Sequence, residues 1–156
     1  MIVVIHKNTT DLKMMNDHST DLTLLRQLKE YVYDIIGCCQ RVHQGMGPFL
    51  NEYMYQDALE IELSEQEIPF VKEFSFLAHY HGKPIKHSHR VDFKLKEHVF
   101  LECKAVEKLG NEERQQLWNY MRLSNTIIGI LYNFAPIKDQ CEKYYLDNDT
   151  KRIIAF

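Results

Sequence analysis

Three residues set the chemistry in view: Glu102 and Lys104, two apart in the otherwise apolar run Val99 to Ala105, and Asp92, ten residues before Glu102. If that run is a strand, alternate residues point the same way, so Val99, Leu101, Cys103 and Ala105 share one face and Phe100, Glu102 and Lys104 the other. A carboxylate and an ammonium then stand side by side. A partly buried ion pair, or an edge strand with one wet face, accounts for a lone triplet of this kind. The chain has others at Asp11-Leu-Lys13, Asp92-Phe-Lys94 and Asp149-Thr-Lys151. What sets Glu102 apart is Asp92: if the two strands pair through a short turn at Glu97-His98, the two carboxylates become cross-strand neighbours. Like charges held together need a cation between them. Hard oxygen donors in this number suit Mg2+ or Mn2+, which keep waters and take phosphate oxygens as further ligands. Lys104 then touches the phosphate or orients the attacking water.

Two helices must bring the remaining groups. Gln116 and Tyr120 are four residues apart and share a helix face opposite the stripe of Leu117, Met121 and Ser124, so both can reach one cleft. An exposed Gln and a half-buried Tyr fit the same spacing. On an earlier helix Glu52, Tyr55 and Leu59 share a side, which offers Glu52 as a third acid, while Glu60 and Glu62 fall on a solvated face.

The elements follow from periodicity. Ser19-Thr20-Asp21 offers caps, and Leu22, Leu25, Leu28, Val32, Ile35, Cys39 and Val42 recur at helical steps until Gly45 and Gly47-Pro48 end the helix. A second helix is expected from Phe49 to Glu65, with Leu50, Met54, Ala58 and Ile61 buried, and Ile68-Pro69 breaks it. Strands are expected at 71–80, 90–95 and 99–105, a helix at 111–124, a buried strand at 127–134, and a hairpin from Tyr144 to Leu146 and Arg152 to Phe156. The order ααβββαβββ describes an α/β domain over residues 19–156, a mixed sheet faced by helices, preceded by a loosely attached arm over residues 1–18.

Composition bounds the function. The 156 residues are 45% hydrophobic and 26% charged, ordinary for a globular chain that needs neither disulfides nor a structural metal for its core. No apolar run reaches the roughly 20 residues of a membrane span, and the N-terminus does not read as a signal peptide, so the cytoplasm is the expected compartment. Cysteines 38, 39, 103 and 141 fit neither a zinc pattern nor a disulfide framework and are expected reduced and mostly buried. The net charge of −3 argues against a protein that grips nucleic acid by overall charge. The segment Gly82 to Lys96 differs, with Lys83, Lys86, Arg90, Lys94 and Lys96 against Asp92 alone, a basic hairpin on an acidic body. His79, His81, His87 and His89 form two His-x-His pairs on its arms, and a solvated face or phosphate contacts are preferred to a transition-metal site. His43 is expected to complement a helix C-terminus. Trp118 and the tyrosines at 31, 33, 53 and 55 are expected to pack rather than to stack bases.

These residues carry a resemblance. Gly47-Pro-Phe-Leu-Asn-Glu52-Tyr-Met-Tyr55, Tyr80-His-Gly82, Arg90-Val-Asp92-Phe, Leu101-Glu-Cys-Lys-Ala105, Gln116-x-x-x-Tyr120 and Gly129-Ile-Leu-Tyr-Asn133-Phe, in that order, resemble the GxxExxY proteins of the PD-(D/E)XK nuclease superfamily. The likeness runs from about His43 to Phe156 and implies a restriction-endonuclease-like core. It implies a metal site of Glu52, Asp92 and Glu102, with Asp92, Glu102, Lys104, Gln116 and Tyr120 as the catalytic set. Two positions depart from the pattern. The naming glycine, three residues before the glutamate, is Phe49, with Gly47 and Pro48 keeping the turn, and the proline before the first acid is Val91. The function implied is a Mg2+- or Mn2+-dependent nuclease, with Lys83, Lys86 and Arg90 binding nucleic acid, DNA ahead of RNA, and with a homodimer possible for cutting both strands. A non-catalytic module that keeps the fold to bind nucleic acid or a protein is the alternative.

Overall fold

The computed structural model describes residues 18–156. Of the expected arm only His18 is among them, and it already belongs to α1 (His18–Met46). There follow α2 (Glu52–Glu65), β1 (Phe70–Tyr80), β2 (Lys83–Leu95), β3 (Val99–Lys104), α3 (Asn111–Ser124), β4 (Ile128–Asn133), β5 (Gln140–Leu146) and β6 (Ile153–Ala155). The element order is the one expected. The six strands form one sheet in sequential order, antiparallel throughout except for β3 and β4, which run parallel with α3 as their crossover.

Each face of the sheet has its own core. On one, Leu28, Val32, Ile35, Cys39 and Val42 of α1 and Tyr55, Leu59 and Leu63 of α2 pack on Val99, Leu101 and Cys103 of β3 and on Ile128, Ile130 and Tyr132 of β4. On the other, Leu117 and Met121 of α3 pack on Phe100 and Leu131, with Phe74, Phe76 and Val91 alongside. The strict alternation read for β3 therefore holds. Gly129 lets α3 lie close on β4, since a β-carbon there would fall on the Met121 sulfur and within 3.1 Å of Leu117.

Three local expectations are corrected. The buried stripe of α2 is Tyr55, Leu59 and Leu63, whereas Ile61 is 62% exposed. The helix begins only at Glu52, after a turn that Tyr55 latches: its hydroxyl donates to Gly47 O at 2.7 Å and accepts the Leu50 N–H at 3.1 Å. Second, β2 starts at Lys83 rather than Arg90, because its exposed half is satisfied by pairing with β1 as far as Tyr80↔Lys83 rather than by burial. The turn between them is only His81-Gly82, both at positive φ, as a two-residue hairpin turn requires. Third, β5 begins at Gln140, four residues before Tyr144, and β6 spans only Ile153–Ala155.

Candidate active site

The two carboxylates meet where β2 leaves β3. The strands pair only from Leu95↔Val99 to Phe93↔Leu101, and the next position of that register sets Asp92 opposite Glu102. At the parting point Asp92 Oδ2 accepts the backbone N–H of Cys103 at 2.8 Å. β2 also changes faces here. Val91 packs on the α3 side and Phe93 on the side of α1 and α2, and the paired strand divides likewise, with Phe74, opposite Val91, on the α3 side and Phe70, opposite Leu95, on the other. Between Phe70 and Phe74 lies Glu73 at φ 52. A regular two-residue alternation forbids that exchange, so Asp92 sits at a local twist that no periodicity in the sequence announces.

Glu102 is 1% exposed, and its Oε1 is buried without a hydrogen-bond partner. Lys104 Nζ donates to its Oε2 at 3.4 Å and to Gln116 Oε1 at 2.9 Å, and Gln116 Nε2 donates to the Tyr120 hydroxyl at 3.1 Å. The i, i+4 pair expected on α3 is thus joined to the lysine, with Gln116 holding the ammonium and Tyr120 holding Gln116. The Tyr120 ring also meets Phe76 at 5.8 Å and His89 at 5.7 Å, which ties this chain to the hairpin.

Glu52 opens α2 and accepts from Gln56 Nε2 at 3.3 Å. Burial raises its pKa, Lys104 lowers it, Asp92 raises it and the Ala105 N–H lowers it, with a net upward shift, so Glu52 shares the electrostatic neighbourhood of the strand residues. The pKa of Asp92 is raised by burial, against the Cys103 N–H, Lys104 and Arg90. Burial first, and then repulsion from Asp92, push Glu102 up to about 8, with Lys104 opposing. Burial would lower the pKa of Lys104, but Glu102, Glu52 and Asp92 together raise it. These carboxylates favour the ammonium form of Lys104, a form suited to stabilising negative charge.

Sequence reasoning missed two supports. Asn133, fully buried, accepts the Val106 N–H at 3.0 Å and donates to Val106 O at 2.8 Å and to Gln140 Oε1 at 3.0 Å, fixing the chain that leaves Lys104. An Asn at the end of an apolar strand signals a buried polar anchor. The other is Tyr55: its packing was expected, and it does stack on Phe134 at 4.9 Å, but its hydroxyl also latches the turn before Glu52. Phe49 stands in that turn at φ 67, so the position calls for glycine, as the motif has it.

A family model of the PD-(D/E)XK nuclease superfamily matches residues 29–144, about three quarters of the chain. The chain belongs to the PD-(D/E)XK nuclease superfamily. No curated protein and no solved structure matches it. Nucleases of this superfamily typically use divalent metals and act on nucleic acid. Among the described residues no three His, Cys, Asp or Glu side chains close around one point. The donor set nevertheless suits a hard cation that takes one or two carboxylates and keeps waters, and the orphaned Oε1 of Glu102 is a buried acceptor that a cation would satisfy. Among the described residues no helix is long and apolar enough to cross a membrane.

The basic hairpin divides in two. Lys83 and Lys86 are exposed on β2, and Arg90, also exposed, lies 3.5 Å from Glu73. Lys94 instead pairs with Glu97 at 3.0 Å and lies over the Phe74 ring, while Lys96 lies 3.8 Å from the Tyr31 ring centre. These two lie at the base of the hairpin, Lys94 half-buried and Lys96 exposed. His79, His81 and His87 are exposed and His89 is half-buried. His43 lies in the last turn of α1, as expected, and its Nε2 also bonds Pro136 O at 2.8 Å, tying α1 to the loop after β4. Cys38, Cys39 and Cys103 are buried and Cys141 exposed, all four unpaired.

Proposed function

We propose that the chain is a Mg2+- or Mn2+-dependent phosphodiesterase acting on nucleic acid, in which Asp92 and Glu102, with Glu52, hold the metal and Lys104 is the charge-stabilising group. The observation that carries this reading is Glu102: a carboxylate removed from water, pressed by a second carboxylate and left with an unpartnered oxygen. Such a group is costly in a purely structural role. When bound, the metal supplies charge neutralisation and a bound water of lowered pKa. Asp92, fixed by the Cys103 N–H, and Glu102 orient that centre. Lys104, held by Gln116, offers an ammonium to the phosphate as its negative charge grows. Lys83, Lys86 and Arg90 form the electrostatic approach for the substrate, with DNA ahead of RNA, and the likeness to GxxExxY proteins belongs with this reading.

Mn2+ titrated into the pure protein with end-labelled DNA and RNA should produce metal-dependent cleavage of one of them. Binding of either strand without cleavage under any divalent metal would favour the non-catalytic module.

A further inference from the structure

Phe49 lies three residues before Glu52 with its backbone at φ 67, a region that aromatic L residues rarely adopt, yet its ring is 75% exposed. Strain at a residue that gains no packing calls for another reason to keep the side chain. The backbone around it is firmly held. Its N–H donates to Ala135 O at 3.0 Å, and Ala135 follows Phe134, whose N–H donates to Lys104 O at 2.9 Å. The turn itself is latched by the Tyr55 hydroxyl on Gly47 and Leu50. Phe49 is thus two backbone hydrogen bonds away from the strand end that carries Lys104. Tyr53, beside Glu52, is 61% exposed, and Ile137, next to the Pro136 held by His43, is 78% exposed.

We propose that Phe49 is a base-stacking residue of the nuclease site, which selects unpaired nucleic acid over closed duplex. This rests on the nuclease reading above. A substrate whose phosphodiester lies beside Lys104 and Glu52 brings the bases of the flanking nucleotides to the rim where Phe49 stands, and a base offers the flat π face that an exposed ring on a rigid backbone can stack against. Inside a closed duplex both faces of each base are already stacked, and only the end pairs expose one. Away from the ends, a face is free only on an unpaired or flipped base.

The test is equilibrium binding of the full chain, in chelator so that nothing is cut, to three labelled probes of equal length: a single strand, the same strand made abasic, and the blunt duplex, each as DNA and, for the base-bearing forms, as RNA. The wild type should bind the base-bearing strand about tenfold more tightly than the abasic strand, the scale of one stacked base. Phe49→Gly should lose that preference, keep its affinity for the abasic strand, and melt no lower than the wild type, because glycine adopts φ 67 without strain. Phe49→Trp should keep the preference. Equal wild-type binding to base-bearing and abasic strands, or a preference that survives Phe49→Gly, overturns the stacking role and leaves the nuclease reading standing. Binding to none of the probes, in chelator and in Ca2+ alike, overturns the nuclease reading, and the stacking role with it.

Discussion

The Asp92 carboxylate accepts the Cys103 N–H at 2.8 Å, so the acid of β2 is tied to β3 at the residue between Glu102 and Lys104. A charge-assisted bond of this kind contributes about 1.5–3 kcal/mol. It fixes where the two carboxylates meet. Burial nevertheless raises the Asp92 pKa, so the charge itself is disfavoured by folding.

Asp92→Asn keeps an oxygen to accept the Cys103 N–H and removes the charge. The metal-free thermal midpoint should rise by about 2–4 °C, what ~1 kcal/mol gives in a chain of this size. The rise that Mn2+ produces in the wild type by mass action should vanish. A metal-free midpoint that falls would show that Asp92 serves chiefly as a structural ion-pair partner.

Glu102 gives the pH dependence its sign. Its folded pKa is pushed up to about 8, above the unfolded value near 4.5, so between those limits the folded state holds the extra proton and stability falls as pH rises. His98, lowered by burial from its ordinary value of 6.5, tilts the other way below that value. Midpoints measured in chelator from pH 5 to 8 should therefore decline more steeply in the wild type than in Glu102→Gln. Parallel profiles for the two proteins would mean that Glu102 is ionised throughout.

Tyr55→Phe removes the hydroxyl that bonds Gly47 and Leu50 while keeping the stack on Phe134. A cost of about 1 kcal/mol in denaturant melts is expected, since a half-buried N–H and carbonyl lose their partner. Because that turn leads into Glu52, Mn2+ affinity measured calorimetrically should weaken too. Unchanged affinity at reduced stability would detach Glu52 from the metal.

Much of this arrangement was legible in the residues. The apolar alternation of Val99 to Cys103 gave both faces of β3, and the ten-residue offset of Asp92 from Glu102 gave their opposition, because a tight turn leaves the register little freedom. The i, i+4 spacing of Gln116 and Tyr120 gave the link on α3. The exposed half of β2 was hidden because its residues are polar and its order comes from pairing with β1. The face exchange at Asp92 was hidden because it depends on the positive φ of Glu73, a residue type that carries no such signal. The stripe of α2 was misjudged because the helix carries apolar residues on two faces, Met54, Ala58 and Ile61 on one and Tyr55, Leu59 and Leu63 on the other, and it is the second that packs in the core.

On the hairpin, replacing Lys83 and Lys86 together with Gln should reduce the slope of log affinity against log salt by about two contacts. Arg90→Gln should change it less, since Arg90 already faces Glu73. Replacing Lys94 and Lys96 should leave the slope alone and lower stability, through their contacts with Phe74 and Tyr31. A slope insensitive to Lys83 and Lys86 would move the binding surface elsewhere.

Lys104→Met tests the central claim most directly, read as single-turnover cleavage in Mn2+ beside a denaturant melt. Glu102, already pushed up to about 8, holds its proton still more firmly once the ammonium is gone, so no buried charge is stranded and the melt should shift little. Cleavage should fall by roughly two to three orders of magnitude, the usual effect of removing one charge stabiliser from a transition state. Cleavage at the wild-type rate would contradict the account, and so would a loss of about 3–5 kcal/mol, the signature of a stranded buried charge, in a protein whose parent cuts nothing.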